Sequence, residues 1–137
     1  MRKSRKITLG LFGLGLLITL TFASLSSCTP AGETIRDRIN TFTTAVNNHD
    51  ELGIKDCLDP SATLYGIANY AWWKIVFVNK DPGTISDFST SGNTATVTYT
   101  ASGGPYIFEM TENKGTFLSG TTYKIRKVST SGTAVFY

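Results

Sequence analysis

The chain has 137 residues, 13 basic and 10 acidic side chains, 41% hydrophobic content and two cysteines. That length suits one domain with one core and excludes two. Arg2, Lys3, Arg5 and Lys6 take four of the basic residues, leaving 9 against all 10 carboxylates. The remaining balance of −1 excludes a phosphate-neutralising surface, and with it nucleic-acid binding.

Ile7 to Leu25 is nineteen residues long, close to the ~20 that a spanning helix needs. Thr8, Gly10, Gly13, Gly15, Thr19, Thr21 and Ser24 dilute it, and no basic flank follows. A basic start, an apolar heart from Leu9 to Leu20 and small residues ahead of a cut form the pattern of an export signal. Leu25-Ser26-Ser27-Cys28 resembles the lipobox of bacterial lipoproteins, with Ser27 where Gly or Ala is commoner. An uncleaved anchor and an ordinary signal peptide are the competing readings. The resemblance implies that residues 1–27 are removed and that Cys28 carries diacylglycerol and acyl chains such as palmitate. It implies a lipid-anchored protein of the cell envelope, with membrane lipid as its partner through Cys28. Thr29 in place of Asp points to the outer rather than the inner membrane of a Gram-negative cell.

Residues 28–33 then form the lipidated cysteine and a short linker, and residues 34–137 form one domain. Thr29 to Glu33 span at most ~18 Å when extended, which keeps the domain near the bilayer. With Cys28 given to lipid, Cys57 has no disulfide partner. Between Ile54 and Leu58 it reads as a core thiol, with a reactive thiol as the alternative.

A first helix is expected from about Thr34, since Ile35, Ile39, Phe42 and Val46 recur at helical spacing. Arg36, Asp37, Arg38 and Asn40 are expected mainly on its solvent side. Asp50 suits the N-cap of a short helix, Glu51 to Leu58, which Asp59-Pro60 stops. Ser61 to Gly66 reads as a short strand. Ile67 to Val78 fits either a helix or, over Ile75 to Val78, a buried strand; its length favours the helix.

From Thr84 the pattern changes to strands. Thr84 to Thr90 and Asn93 to Ala101 flank a tight turn at Ser91-Gly92. Ala95, Val97, Tyr99 and Ala101 alternate with Thr94, Thr96, Thr98 and Thr100, a period-two strand signal. Tyr106 to Asn113 follows, with Tyr106, Phe108 and Met110 on one face. Thr121 to Thr130 is the next strand, with Tyr123 and Ile125 inward, and Thr133 to Tyr137 reads as an edge strand. Gly103-Gly104-Pro105 and Ser119-Gly120 mark connections.

Helices followed by antiparallel strands make an α+β plan. Three passages resemble the nuclear-transport-factor-2-like, or cystatin-like, superfamily that includes the SnoaL-like proteins. They are Asn48-His49-Asp50-Glu51-Leu52 after the first helix, Asp59-Pro60-Ser61-Ala62-Thr63-Leu64, and Thr122-Tyr123-Lys124-Ile125-Arg126-Lys127-Val128. The last has Tyr123 where that family usually has Trp. The resemblance implies N-terminal helices packed on a curved antiparallel sheet, a cone-shaped cystatin-like roll whose first strand opens at Asp59 to Leu64. It also implies an apolar interior that serves enzymes and non-catalytic binders alike.

Proton-transfer enzymes of that kind need an ionisable group in a dry pocket. Glu109 and Asp87 are the carboxylates set in strands. Glu109 reads as a surface ion pair with Lys124 or Arg126. It becomes a pocket acid or base only if the threonine face turns inward. His49 is the sole histidine and reads as a solvated turn residue or a helix C-terminal contact. Zinc wants several nitrogen or sulfur ligands, so no metal site is expected, and no cofactor motif is present. Tyr70, Trp72, Trp73, Tyr99 and Phe108 are the residues expected to line a ligand pocket, against the plainer reading of a packed core. The leading expectation is a non-catalytic binding module for a small apolar ligand or a partner protein. An isomerase- or cyclase-like enzyme and a homodimerisation module are the alternatives.

Overall fold

The computed structural model describes residues 32–131 and 135–136. The expected export segment, Cys28 and the ends of the expected strand Thr133 to Tyr137 lie outside the described residues.

Helix α1 spans Ile35–Asn47. Its start is a capping box: Asp37 N–H donates to Thr34 Oγ1 at 3.1 Å, and Thr34 N–H donates to the Asp37 carboxylate at 3.0 Å. The apolar stripe of Ile35, Ile39, Phe42 and Val46 is buried, as its spacing predicts. Arg38 is buried too, at 9% exposure, against the expectation that it faces solvent. It lies three residues after Ile35 and four before Phe42, so helical geometry puts it on the stripe whatever its charge.

The helix ends in a Schellman motif. His49 N–H donates to the Val46 carbonyl at 3.1 Å and Asp50 N–H to the Ala45 carbonyl at 2.8 Å. His49 takes the left-handed position, at φ 57°, where glycine is usual. Helix α2, Glu51–Cys57, follows at once, with the Asp50 carboxylate accepting from Gly53 N–H at 3.0 Å. Ile54 and Cys57 face the core, so the thiol is the buried one that its neighbours implied.

The segment expected as a strand after Asp59-Pro60 is a 3-10 helix, Thr63–Ile67. Asp59 accepts from Ser61 N–H at 2.8 Å and from Ser61 Oγ at 2.7 Å, folding the chain into a turn. The bonds from Ala62 N–H to the Asp59 carbonyl and from Tyr65 N–H to the Ala62 carbonyl then tighten it. Leu58 alone keeps an extended contact, a parallel bridge to Ile125. Helix α3 spans Tyr70–Val76 and is capped by Asn69, whose side chain accepts from Trp72 N–H at 3.0 Å. Its end repeats the Schellman bonds, Val78 N–H to the Ile75 carbonyl and Asn79 N–H to the Lys74 carbonyl.

Strands β1 (Ile85–Ser91), β2 (Thr94–Tyr99), β3 (Gly103–Lys114), β4 (Thr121–Thr130) and β5 (Val135–Phe136) form one antiparallel sheet in chain order. Gly103 to Pro105, read from the sequence as a connection, open β3. The first turn is Gly92-Asn93, one residue later than expected, because Ser91 pairs with Thr94. Gly92 supplies the positive φ that a two-residue hairpin needs, at 57°.

Ala95, Val97, Tyr99, Tyr106, Phe108 and Met110 fill the inner face in strict alternation. In β4 the alternation breaks. Glu109 pairs with Lys127 and Met110 with Ile125, so Arg126 is an extra residue in a bulge. The inward positions therefore move from Ile125 to Val128, and Arg126 points outward. Helices over one face of an antiparallel sheet make the α+β class.

Candidate functional site

The aromatic residues expected to line a pocket divide into two groups. Trp73, Tyr99 and Phe108 are buried and pack against other rings. Phe42 meets Trp73 edge-on at 4.8 Å and Phe108 at 5.9 Å, while Phe77 meets Tyr99 at 5.5 Å and Tyr106 at 5.0 Å. Such edge-to-face contacts suit the ring quadrupoles and leave the space between helices and sheet occupied by side chains. Tyr99 ties the two layers: its hydroxyl lies 3.0 Å from Thr43 Oγ1 on α1. Burial pushes the Tyr99 phenol far above its ordinary range, the Thr43 contact opposing this only in part. The Trp73 indole N–H is buried with no acceptor among the described residues.

Tyr70 and Trp72 lie at the margin of this core. Tyr70 belongs to a surface cluster that the sequence does not announce. Its ring stacks on His49 at 3.7 Å and its hydroxyl donates to Asp81 at 2.7 Å. His49 Nε2 lies 3.4 Å from the same carboxylate. The hydrogen bond from Tyr70 holds the Asp81 carboxyl below its usual range and raises the Tyr70 phenol. His49 and Asp81 are exposed and Tyr70 is half-buried, and together they clamp the end of α1 to the loop before β1. His49 is thus a turn residue with a partner.

Glu109 and Asp87 do not come together. Glu109 sits on the outer face of β3, its carboxylate 47% exposed and 3.3 Å from Lys127 Nζ. The expected partners were Lys124 or Arg126; the β4 bulge puts Lys127 opposite instead. Ser61, Ala62, Thr63, Arg126 and Lys127 join Glu109 around an open cleft of about 350 Å³. Asp87 is exposed on β1 and accepts from Phe88 N–H at 2.9 Å.

A longer groove runs along α2. Leu52, Lys55 and Tyr65 are shared by two adjoining clefts, one of about 280 Å³ and one of about 370 Å³. Leu58 and Pro60 continue the first, and Ala68 and Asn69 the second. Lys55 Nζ lies 4.9 Å over the Tyr65 ring, which steadies one wall. Leu52 stands at the rim with 81% of its surface in solvent. Opposite charges flank it: Lys55 and Lys124 with Asp56 at one end, Glu51 at the other. The sequence points to Lys124 only as a partner for Glu109 and to no groove here, although Leu52 at the outward position of a short amphipathic helix is the available signal.

Behind the groove lies a charged network around Arg38. Its Nε is 2.9 Å from Glu33 and its Nη1 is 3.2 Å from Asp56, with Cys57 Sγ at 3.8 Å. Lys124 Nζ reaches the Asp56 carboxylate at 3.3 Å and donates to its backbone carbonyl. Burial alone would raise the Asp56 carboxyl, but Lys124 and Arg38 outweigh it and hold it low. Burial pushes the Cys57 thiol upward, which favours the protonated form and low reactivity.

Among the described residues no group of three His, Cys, Asp or Glu side chains is placed to hold a metal ion. No helix among them is long and apolar enough to cross a membrane. Comparison with protein-family models, curated proteins and solved structures gave no match.

Proposed function

We propose that this chain is an exported lipoprotein, held to the cell envelope by lipid on Cys28, whose domain binds a segment of a partner protein in the groove along α2. The lipobox Leu25-Ser26-Ser27-Cys28 behind a basic, then apolar, start supports the anchor. The order of elements supports a cone-shaped, cystatin-like roll: α1 and α2, then a turn at Asp59-Pro60, then strands closing with Thr122 to Val128 in β4. The 3-10 helix in place of that family's first strand is a departure from the pattern.

The observation that carries the binding reading is the contrast between interior and groove. The rings of Phe42, Trp73, Phe77, Tyr99, Tyr106 and Phe108 pack on one another, while Leu52 stands exposed beside an open, partly apolar trough. A groove lined by Leu52, Tyr65 and Leu58 with charges at both ends suits an apolar anchor residue and a polar rim. It favours a protein segment over a small ligand enclosed among the rings. The solvent-facing ion pair of Glu109 with Lys127 favours binding over proton transfer.

A photo-crosslinking amino acid at Leu52 in the full chain, expressed in its native host, tests the groove. A discrete adduct at Leu52, absent from the same probe at exposed Thr90, is the expected result. Equal labelling at both positions counts against it.

A further inference from the structure

We propose that the β3–β4 hairpin tip is a second membrane contact, with Phe117 and Leu118 entering the interfacial layer of the leaflet that holds the acyl chains on Cys28. The proposal rests on the lipoprotein reading given above.

Phe117 and Leu118 are 80% and 81% exposed, adjacent, and at the tip of a protruding ribbon. The last β2 partner on β3 is Glu109. Beyond Met110 only β4 accompanies β3, through the pairs Thr111 with Lys124 to Lys114 with Thr121. Four residues of strand carry β3 about 13 Å past the end of β2, while Gly32 and Glu33 flank the β4 side of the ribbon at Thr121 and Tyr123.

The loop is built to present those two side chains. Thr116 N–H donates to Ser119 Oγ at 2.8 Å, and Ser119 N–H and Gly120 N–H both donate to the Thr116 carbonyl at 3.1 Å. Phe117 and Leu118 are therefore the two central residues of a braced turn. Backbone groups paired within the loop lower the cost of leaving water. From Gly115 to Thr122 no side chain is charged, and Lys114 stands at the root, where an ammonium meets lipid phosphates.

The chain's exit lies at the same place. Glu33 N–H donates to the Thr121 carbonyl at 2.9 Å, and the Glu33 carboxylate accepts from Tyr123 N–H at 2.9 Å. Gly32 is so close to Thr121 that an added Cβ would meet its backbone nitrogen at 2.9 Å. Cys28 precedes Gly32 by four residues, a reach of at most about 15 Å. Gly32, where the described chain begins, and the apolar tip thus lie at one corner of the domain. An acyl anchor and an apolar wedge at one corner act together to fix orientation on a bilayer.

The test uses the full chain, exported and purified from membranes, carrying Leu118→Cys labelled with an environment-sensitive nitrobenzoxadiazole dye. Cys28 is consumed by lipid and Cys57 is buried, so the dye takes the new thiol. Phe117→Cys is a second probe. Ser131→Cys, exposed at the far end of β4, is the control. The protein is reconstituted in phosphatidylethanolamine–phosphatidylglycerol vesicles containing a nitroxide lipid labelled high on the acyl chain. We expect at least twofold quenching at positions 117 and 118 and little at 131. Acylated, vesicle-bound protein with all three probes equally unquenched overturns the wedge and leaves the anchor standing. Protein with no acyl mass on Cys28 overturns both.

Discussion

The Glu33 backbone N–H donates to the Thr121 carbonyl at 2.9 Å, so the segment ahead of α1 lies along the outer edge of β4. Leu58 and Asp59 continue that edge at Ile125, and β5 covers Val128 and Ser129. An edge strand that would otherwise offer free backbone groups is covered along most of its length. Gly32 and Glu33 therefore pack with the domain rather than standing apart as the linker expected from sequence.

Arg38 is the hub that holds this edge to the helices. Arg38→Ala leaves Glu33 and Asp56 without their shared cation and is expected to cost about 2–4 kcal/mol. That is less than the ~3–5 kcal/mol for breaking a fully buried pair, because Asp56 is largely exposed and keeps Lys124. Arg38→Met, which also removes the cation but keeps the packing of the stem, should cost less than Arg38→Ala by the packing part alone. Urea unfolding of the three proteins checks the order. Faster labelling of Cys57 by a thiol reagent in Arg38→Ala is the local readout.

The buried contact between Thr43 and Tyr99 makes a second prediction. Thr43→Val leaves the Tyr99 hydroxyl unpaired and should cost about 1–3 kcal/mol. Adding Tyr99→Phe removes the stranded group, so the double variant should be more stable than Thr43→Val alone. A double-mutant cycle by denaturant unfolding measures the coupling.

Val78 holds the left-handed position at the end of α3, at φ 58°, and is β-branched and exposed. That conformation costs an L-residue roughly 1–2 kcal/mol. Val78→Gly should stabilise the fold by about 1 kcal/mol and raise the melting temperature by about 4–8 °C. His49→Gly at the matching position of α1 should give less, because the stack on Tyr70 and the contact with Asp81 are lost. Thermal unfolding of both variants decides this.

Acid should loosen the turn after α2. The hydrogen bond from Thr111, 2.5 Å long, holds the Asp59 carboxyl below its ordinary value of 3.8, with Ser61 adding to it. The folded state then binds that proton less tightly than the unfolded chain. Its contribution is present above about pH 4 and is lost as pH falls through the folded value. Asp56 acts in the same direction. Stability measured from pH 6 to pH 2.5 should fall at the acid end, and Asp59→Asn should flatten that fall.

Much of this architecture is legible in the residues. The α1 stripe and the alternation in β2 and β3 translate directly into burial, because each repeats often enough to outweigh single exceptions. Arg38 departs from its expected solvent side because helical position, not charge, sets the face it occupies. The β4 bulge leaves no mark in Thr121 to Thr130, since one extra residue shifts the facing without changing composition, and Glu109's partner moved with it. The strand expected after Asp59 yielded to the local bonds that Asp59 makes with Ser61. For the site, the sequence marks the rings and leaves pocket lining and packed core both open, because it does not say whether rings enclose space or fill it. Leu52 and the Phe117–Leu118 pair were visible as apolar residues in polar surroundings, a signal about surfaces rather than cores.

The proposed lipid anchor on Cys28 is tested most directly by the mass of the mature protein. The full chain, exported and extracted from the envelope with detergent, should give an intact mass that starts at Cys28 and includes diacylglycerol. Cys28→Ala should retain residues 1–27 and take up no labelled fatty acid. A mature chain that begins elsewhere, or a Cys28 without acyl groups, would contradict the account.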